Sequence, residues 1–264
     1  MSTDRPQRFQ VGAAGRDVVV DGVRLAVDDT GDGPAIVCLH AIGHGASDFA
    51  RLGRRLAPGW RVVAPDWPGQ GRSASDHEAP HAARYAALLE GLLDASGITR
   101  AVILGNSIGG AAAIRFAAAR PDRVTALVLE NPGGLDRTDD PVARTVLRAM
   151  VAFFDAGARG APWFPAAFAA YYRLVLQRAA AAEQRRRIVA SAREIAPLLR
   201  DAWIGFGQAE ADIRHLAPSI RCPVLVAGAA REQIIQLRRC RAAVGRFAAA
   251  RLEAFPAGHA PHLE

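Results

Sequence analysis

The chain has no lysine. Every one of its 33 basic Lys/Arg positions is arginine, and the formal charge is +7. With the excess of alanine, this reads as a coding bias. The arginines are scattered in helix-like stretches with apolar partners, as solvated faces are (Arg51, Arg54, Arg55; Arg185, Arg186, Arg187; Arg238, Arg239, Arg241). No aromatic interleaving accompanies them, so a nucleic-acid partner is not expected. Cysteine is also scarce. Cys38, Cys222 and Cys240 are odd in number and lack metal-ligand spacing. They read as buried reduced thiols of a cytoplasmic protein, not as a disulfide framework. No apolar run reaches the roughly 18 residues of a membrane span. Met1 to Arg8 lead into no apolar stretch, so no signal peptide is expected, and residues 1–10 read as a loose tail.

What is present is an alternation. Residues 16–20 and 24–27 flank Asp21-Gly22 as a hairpin. Short apolar runs at 35–39, 61–65, 101–104 and 124–129 read as strands. Helical patterns at 47–56, 81–96 and 110–119 lie between them. This is βα rhythm, hence a mostly parallel sheet. The rhythm stops at about Asp136 and resumes with a strand at 223–227, a helix from about Gln233 and a strand at 250–255. Between them, residues 136–215 read as helical and hold Phe153, Phe154, Trp163, Phe164, Phe168, Tyr171, Tyr172, Trp203 and Phe206. The expected organisation is an α/β core over 11–135 and 216–264, interrupted by a helical lid over 136–215. Most lid aromatics are expected to pack as core.

The chemistry centres on Gly105-Asn106-Ser107-Ile108-Gly109. A buried strand precedes it and an alanine-rich helix follows. That setting makes G-x-S-x-G a nucleophile elbow, with the Ser107 hydroxyl exposed above the sheet. A serine needs a base, itself oriented by a carboxylate. His259 follows the last strand and is the candidate base, with His262 as fallback. Glu232 follows the next-to-last strand and completes the order Ser, acid, His. Glu130, with Asp136 behind it, is the alternative acid. The backbone amides of Ile42 and Ile108 are the expected oxyanion donors. His40 and His44 have metal-like spacing. They lie in a glycine-containing loop with no third ligand nearby, so no metal and no cofactor are expected.

These stretches resemble the α/β-hydrolase superfamily, in its helical-lid branch. The resemblance covers about residues 16–264. It rests on Leu39-His40-Ala41-Ile42-Gly43, Asp66-Trp67-Pro68-Gly69-Gln70-Gly71-Arg72-Ser73, the elbow, and Gly258-His259-Ala260-Pro261-His262-Leu263-Glu264. It implies an α/β-hydrolase fold: a mostly parallel eight-stranded sheet flanked by helices, with an inserted all-helical lid. Three departures stand out. Ala41 replaces the family's usual glycine. The acid position, counted from Gly228, falls on Arg231, so Glu232 fits only with one extra residue. Members usually continue past the His motif into a further helix. Where the chain stops at Glu264, the expectation is a His259 supported from one side and an apolar sheet face left exposed.

The resemblance implies a cofactor-free serine hydrolase cleaving a small apolar ester or related carbonyl substrate through an acyl-enzyme. The Asn106 elbow and the loop His40-Ala41-Ile42-Gly43-His44-Gly45-Ala46 also resemble those of carbon–carbon hydrolases acting on aromatic meta-cleavage diketones. A degenerate hydrolase that binds a ligand but turns over poorly is the third alternative. Haloalkane dehalogenases and epoxide hydrolases place Asp at the elbow, and Ser107 argues against both. A lid arginine, Arg173 or Arg193, is a candidate for a substrate carboxylate. A homo-oligomer is compatible with the chain.

Overall fold

Five-residue runs such as Ala35-Ile36-Val37-Cys38-Leu39 have no polar face, and a strand of that kind must be buried on both sides. The computed structural model describes residues 14–136 and 141–264; the tail expected over residues 1–10 lies outside the described residues. The strands are β1 (Ala14–Val20), β2 (Val23–Thr30), β3 (Ala35–Leu39), β4 (Arg61–Pro65), β5 (Ala101–Asn106), β6 (Val124–Glu130), β7 (Val224–Ala229) and β8 (Ala250–Phe255). They form one eight-stranded sheet in the order β1-β2-β4-β3-β5-β6-β7-β8. β2 runs antiparallel to β1 and β4, and the remaining neighbours pair in parallel.

Alternation along the strands sends side chains to two layers. Val37, Leu39 and Ile103 join the layer under α2 (Ala82–Ala95) and α3 (Ile108–Ala119), with Leu88, Leu89, Leu92 and Leu93 wholly buried there. Truncating one such leucine to alanine costs about 2–5 kcal/mol. Ile36, Cys38 and Leu104 face the opposite layer, with Phe49 from a short 3-10 turn ahead of α1 (Ala50–Leu56). The His81 imidazole caps α2 by accepting from the Arg84 N–H at 3.1 Å. Arg84 is itself buried and bound to Asp76 at 2.7 Å, so this arginine is structural and not part of a solvated face.

Between β6 and β7 the chain inserts α4 (Pro141–Ala158), α5 (Phe164–Val175), α6 (Ala182–Ala190) and α7 (Ala192–Phe206). Phe154, Phe164, Phe168, Tyr172 and Trp203 form its core with Leu199, while Trp163 stays exposed. Ile42, Ile234 and Phe206 touch this cluster and the main core, so the insertion is welded to the sheet edge. Two details differ from the sequence reading. α8 (Leu237–Val244) starts later than Gln233, because Glu232 takes the Ile234 N–H onto its carboxylate and Gln236 is extended. Cys222 is half-buried ahead of β7, whereas Cys38 and Cys240 are buried.

Candidate active site

Ser107 stands where β5 turns into α3, at φ 55 and ψ −119. A non-glycine residue in this region is strained, and such strain persists only where the surroundings over-determine it. The surroundings are two close backbone approaches. A Cβ at Gly105 would lie 2.5 Å from the Gly109 carbonyl, and one at Gly109 would lie 2.3 Å from the Leu39 carbonyl. Glycine alone lets strand, helix and the β3 end meet this closely. The Ser107 backbone is locked as well: its N–H donates to Glu130 O, and its carbonyl accepts from Gly133.

Parallel strands deliver their following loops to one edge, and β7 and β8 bring Glu232 and His259 to the same edge as Ser107. His259 Nδ1 lies 2.6 Å from Glu232 Oε2, with both side chains buried. Burial pushes the Glu232 carboxyl up, but His259 and the Ile234 and Ile235 amides outweigh burial and hold it below its ordinary value. A carboxylate there fixes the imidazole with Nδ1–H toward Glu232 and leaves Nε2 for other work. β7 runs on past Gly228 to Ala229, and Arg231 then turns its carbonyl toward Gln177.

His259 is held from several sides, contrary to the expectation of one-sided support. Its carbonyl accepts from Asn106 Nδ2 at 2.8 Å and from Asn131 Nδ2 at 2.9 Å. Its N–H donates to Val175 O at 2.8 Å. No hydrogen bond from the Ser107 hydroxyl to the His259 ring is among the described contacts. Catalytic hydrogen bonds are often long before substrate binds. Asn131 went unnoticed in the sequence. Its φ of 41 is a conformation Asn tolerates, and its Oδ1 also accepts the Ala229 N–H at 2.9 Å, tying β6 to β7.

The alternative acid goes elsewhere. Glu130 Oε2 lies 2.5 Å from His262 Nδ1, so the fallback base and the alternative acid form a pair of their own. His262 stacks on Phe49 with ring centroids 4.5 Å apart, and its Nε2 is buried without a partner. Asp136 lies near Cys240, whose thiol burial pushes up to about 12 with Asp136 adding to it.

The β3 loop is built around two histidines with separate duties. His40 Nε2 accepts the Trp67 N–H at 2.9 Å, and its Nδ1 donates to Ala41 O at 2.7 Å. Burial lowers its pKa, in keeping with a neutral ring. Both nitrogens are thereby used, and Ala41 sits buried in this loop. His44 Nδ1 pairs with Asp48 Oδ2 at 2.6 Å, and Gln184 from α6 donates to Asp48 Oδ1 at 2.7 Å. The Asp66 turn closes below: Asp66 Oδ1 accepts the Ala46 N–H, and Gln70 Oε1 accepts the Gly43 N–H at 2.7 Å. The amides of Ile42 and Ile108 donate to no other backbone group among the described residues. Ile108 opens α3, where the helix dipole favours negative charge. Arg173 and Arg193 are both exposed, and Arg193 donates to Gly160 O at 3.0 Å.

An eight-stranded sheet with a strained serine elbow, an oriented imidazole on the last loop and a helical insertion over the edge defines a class of hydrolytic architecture. The chain belongs to the alpha/beta hydrolase fold family, whose sequence model matches residues 34–264. It is 38% identical over 117 residues to a 2-hydroxy-6-oxo-6-phenylhexa-2,4-dienoate hydrolase of Burkholderia cepacia; the match covers 42% of this chain and 41% of that relative. The chain thus matches less than half the length of this curated relative. Among solved structures, the enol-lactonase of Burkholderia xenovorans LB400 superposes with a TM-score of 0.75 at 23% identity, covering 93% of each chain. A 2-hydroxy-6-oxo-6-phenylhexa-2,4-dienoate hydrolase of Rhodococcus sp. strain RHA1 superposes with a TM-score of 0.78 at 22% identity, covering 97% of this chain and 95% of that one. At such identity these two likenesses speak for the fold. No helix among the described residues is long and apolar enough to cross a membrane.

Proposed function

We propose that the chain is a serine hydrolase that cleaves a small apolar ester or related carbonyl compound without a cofactor. The observation that carries this reading is the His259–Glu232 pair at 2.6 Å on the same sheet edge as the strained Ser107 elbow. In the proposed reaction the Ser107 hydroxyl attacks the carbonyl carbon and passes its proton to His259 Nε2. The Ile42 and Ile108 amides hold the oxyanion, and losing one such donor costs about 2.7–4 kcal/mol of barrier. The tetrahedral intermediate expels the leaving group, which takes the proton from His259. Water, deprotonated by His259, then releases the acid and restores Ser107. Glu232 keeps the ring in the right tautomer and stabilises the imidazolium. The insertion acts as a lid, and Leu199 and Tyr172 approach the β3 loop at Gly43, which favours apolar substrates.

A fluorophosphonate probe is expected to label the wild type at one site, and Ser107→Ala is expected to remain unlabelled. A folded wild type that does not label sinks the proposal. A second reading is carbon–carbon bond hydrolysis of a meta-cleavage-type diketone. The Asn106 elbow and the 38% identity to a dienoate hydrolase over part of the chain favour it. A dienoate ring-fission product assayed beside a p-nitrophenyl ester series separates the two. Tight binding from that panel without turnover would instead favour a ligand-binding protein.

A further inference from the structure

The end of α5 runs across both catalytic loops. The Val175 carbonyl accepts the His259 N–H at 2.8 Å. Gln177 Nε2 donates to the carbonyl of Arg231, the residue before Glu232, at 2.8 Å, and to Leu174 O at 2.9 Å. Arg178 Nη1 donates to Pro256 O at 2.9 Å. The Arg178 N–H reaches Glu264 Oε1 at 2.9 Å, and Glu264 Oε2 accepts the Gly258 N–H. The two loops are also joined directly, with the Arg231 N–H donating to Ala257 O at 3.0 Å. The approach is close enough to require glycine before the histidine: a Cβ at Gly258 would lie 2.5 Å from Val175 O.

We infer that residues 175–178 of the lid position the relay, with Gln177 and Arg178 as positioning residues that set the placement of His259 against Glu232. None of these groups is placed to touch the reacting atoms. Each binds the backbone of His259 or of residues beside it and Glu232, where a small displacement moves the imidazole. A misplacement of about 1 Å can cost on the order of a hundredfold in rate even when its cause lies away from the chemistry. The lid then has a fixed end. An opening motion that lifted the end of α5 would pull on the His259 amide.

The inference rests on the serine-hydrolase reading, and its test is chosen to separate the two. Gln177→Met keeps the side-chain length and removes the donor; Gln177→Glu keeps the shape and also removes it. Both are expected to lower kcat on a p-nitrophenyl ester about tenfold with little change in KM. The low-field proton resonance of the His259–Glu232 hydrogen bond is expected to move or broaden in both variants. The corresponding resonance of His262–Glu130 is the internal control and should stay in place. Assignment comes from His259→Gln and His262→Gln. Unchanged kcat with an unmoved His259 resonance overturns the inference. So does a fall in thermal stability with both resonances displaced, which marks a general packing role. Should the Gln177 variants fail to fold, Glu264→Gln weakens the same clamp and is read in the same way. If the wild type does not react with fluorophosphonate, the hydrolase reading fails, and the two resonances still decide whether residues 175–178 set the His259–Glu232 geometry.

Discussion

Two histidine–glutamate pairs share one loop of this protein, and nearly the same contact distance gives them opposite characters. His259 meets Glu232 at 2.6 Å and His262 meets Glu130 at 2.5 Å. The first has its backbone pinned by Val175, Asn106 and Asn131, on the edge where β5 presents Ser107. The second lies against Phe49 in the layer beneath, beside Cys38, with Nε2 sealed off. Burial lowers the His262 pKa, but Glu130 and Asp48 outweigh it and raise it above the ordinary value. Chemistry alone does not make an imidazole a base. It must also keep one nitrogen free toward the reacting atom, and in the proposed reaction that part falls to His259, on the sheet edge where Ser107 stands.

The comparison breaks most visibly in catalysis. His259→Ala should lower kcat by about 10⁴-fold or more, as loss of a relay histidine does, whereas His262→Ala should leave kcat within a few-fold in a folded preparation. Steady-state ester kinetics on both variants checks this, and equal losses would erase the distinction. The acids should divide in the same way. Glu232→Gln is expected to lower kcat by about 10²- to 10⁴-fold, and Glu130→Gln to change it little. Stability should not divide the pairs, since both are buried. Removing one partner of a buried pair costs about 3–5 kcal/mol, so Glu130→Ala should unfold at clearly lower urea concentration while its residual folded fraction still turns over substrate.

The smallest expected effect is in pH. The His262 value is raised on folding, so the folded chain holds that proton more tightly than the unfolded one. Its stabilisation is whole below the ordinary histidine value of about 6.5 and is lost as pH rises through the raised value. Glu232 is lowered on folding, so its contribution is whole above the ordinary carboxylate value and is lost as pH falls through the lowered one. Urea midpoints measured across pH should show His262→Gln flattening the alkaline side and Glu232→Gln the acid side. A shared dependence would mean that the two pairs titrate as one.

Much of this was legible in the chain. The alternation of apolar runs and helical patterns marks seven of the eight strands within a residue or two, and β2 reaches Thr30 beyond its apolar stretch. The insertion is legible because strand signals cease where the aromatics gather. Ser107 and His259 are legible because strand-following loops of a parallel sheet share an edge. Glu232 is harder: its position depends on where β7 ends, and Gly228 lies inside the strand rather than at its close. The partners of the His259 backbone are not legible. Asn106 lies in the elbow, but its amide reaches His259 only because β5, β6, β7 and β8 lie side by side in parallel, with their following loops on one edge.

The amino-acid sequence by itself determined the sheet, the insertion and the identity of the residues that can do chemistry, because these follow from local periodicity and residue type. Only the tertiary structure decided which carboxylate each histidine meets. Glu130 ends β6 and Glu232 lies in the loop after β7, and His259 and His262 occupy the same loop. Their pairing depends on which sheet face each side chain takes and on what packs there: Phe49 beneath for His262, the end of α5 and two asparagines around His259. Those contacts join residues far apart along the chain, and no spacing within the sequence encodes them.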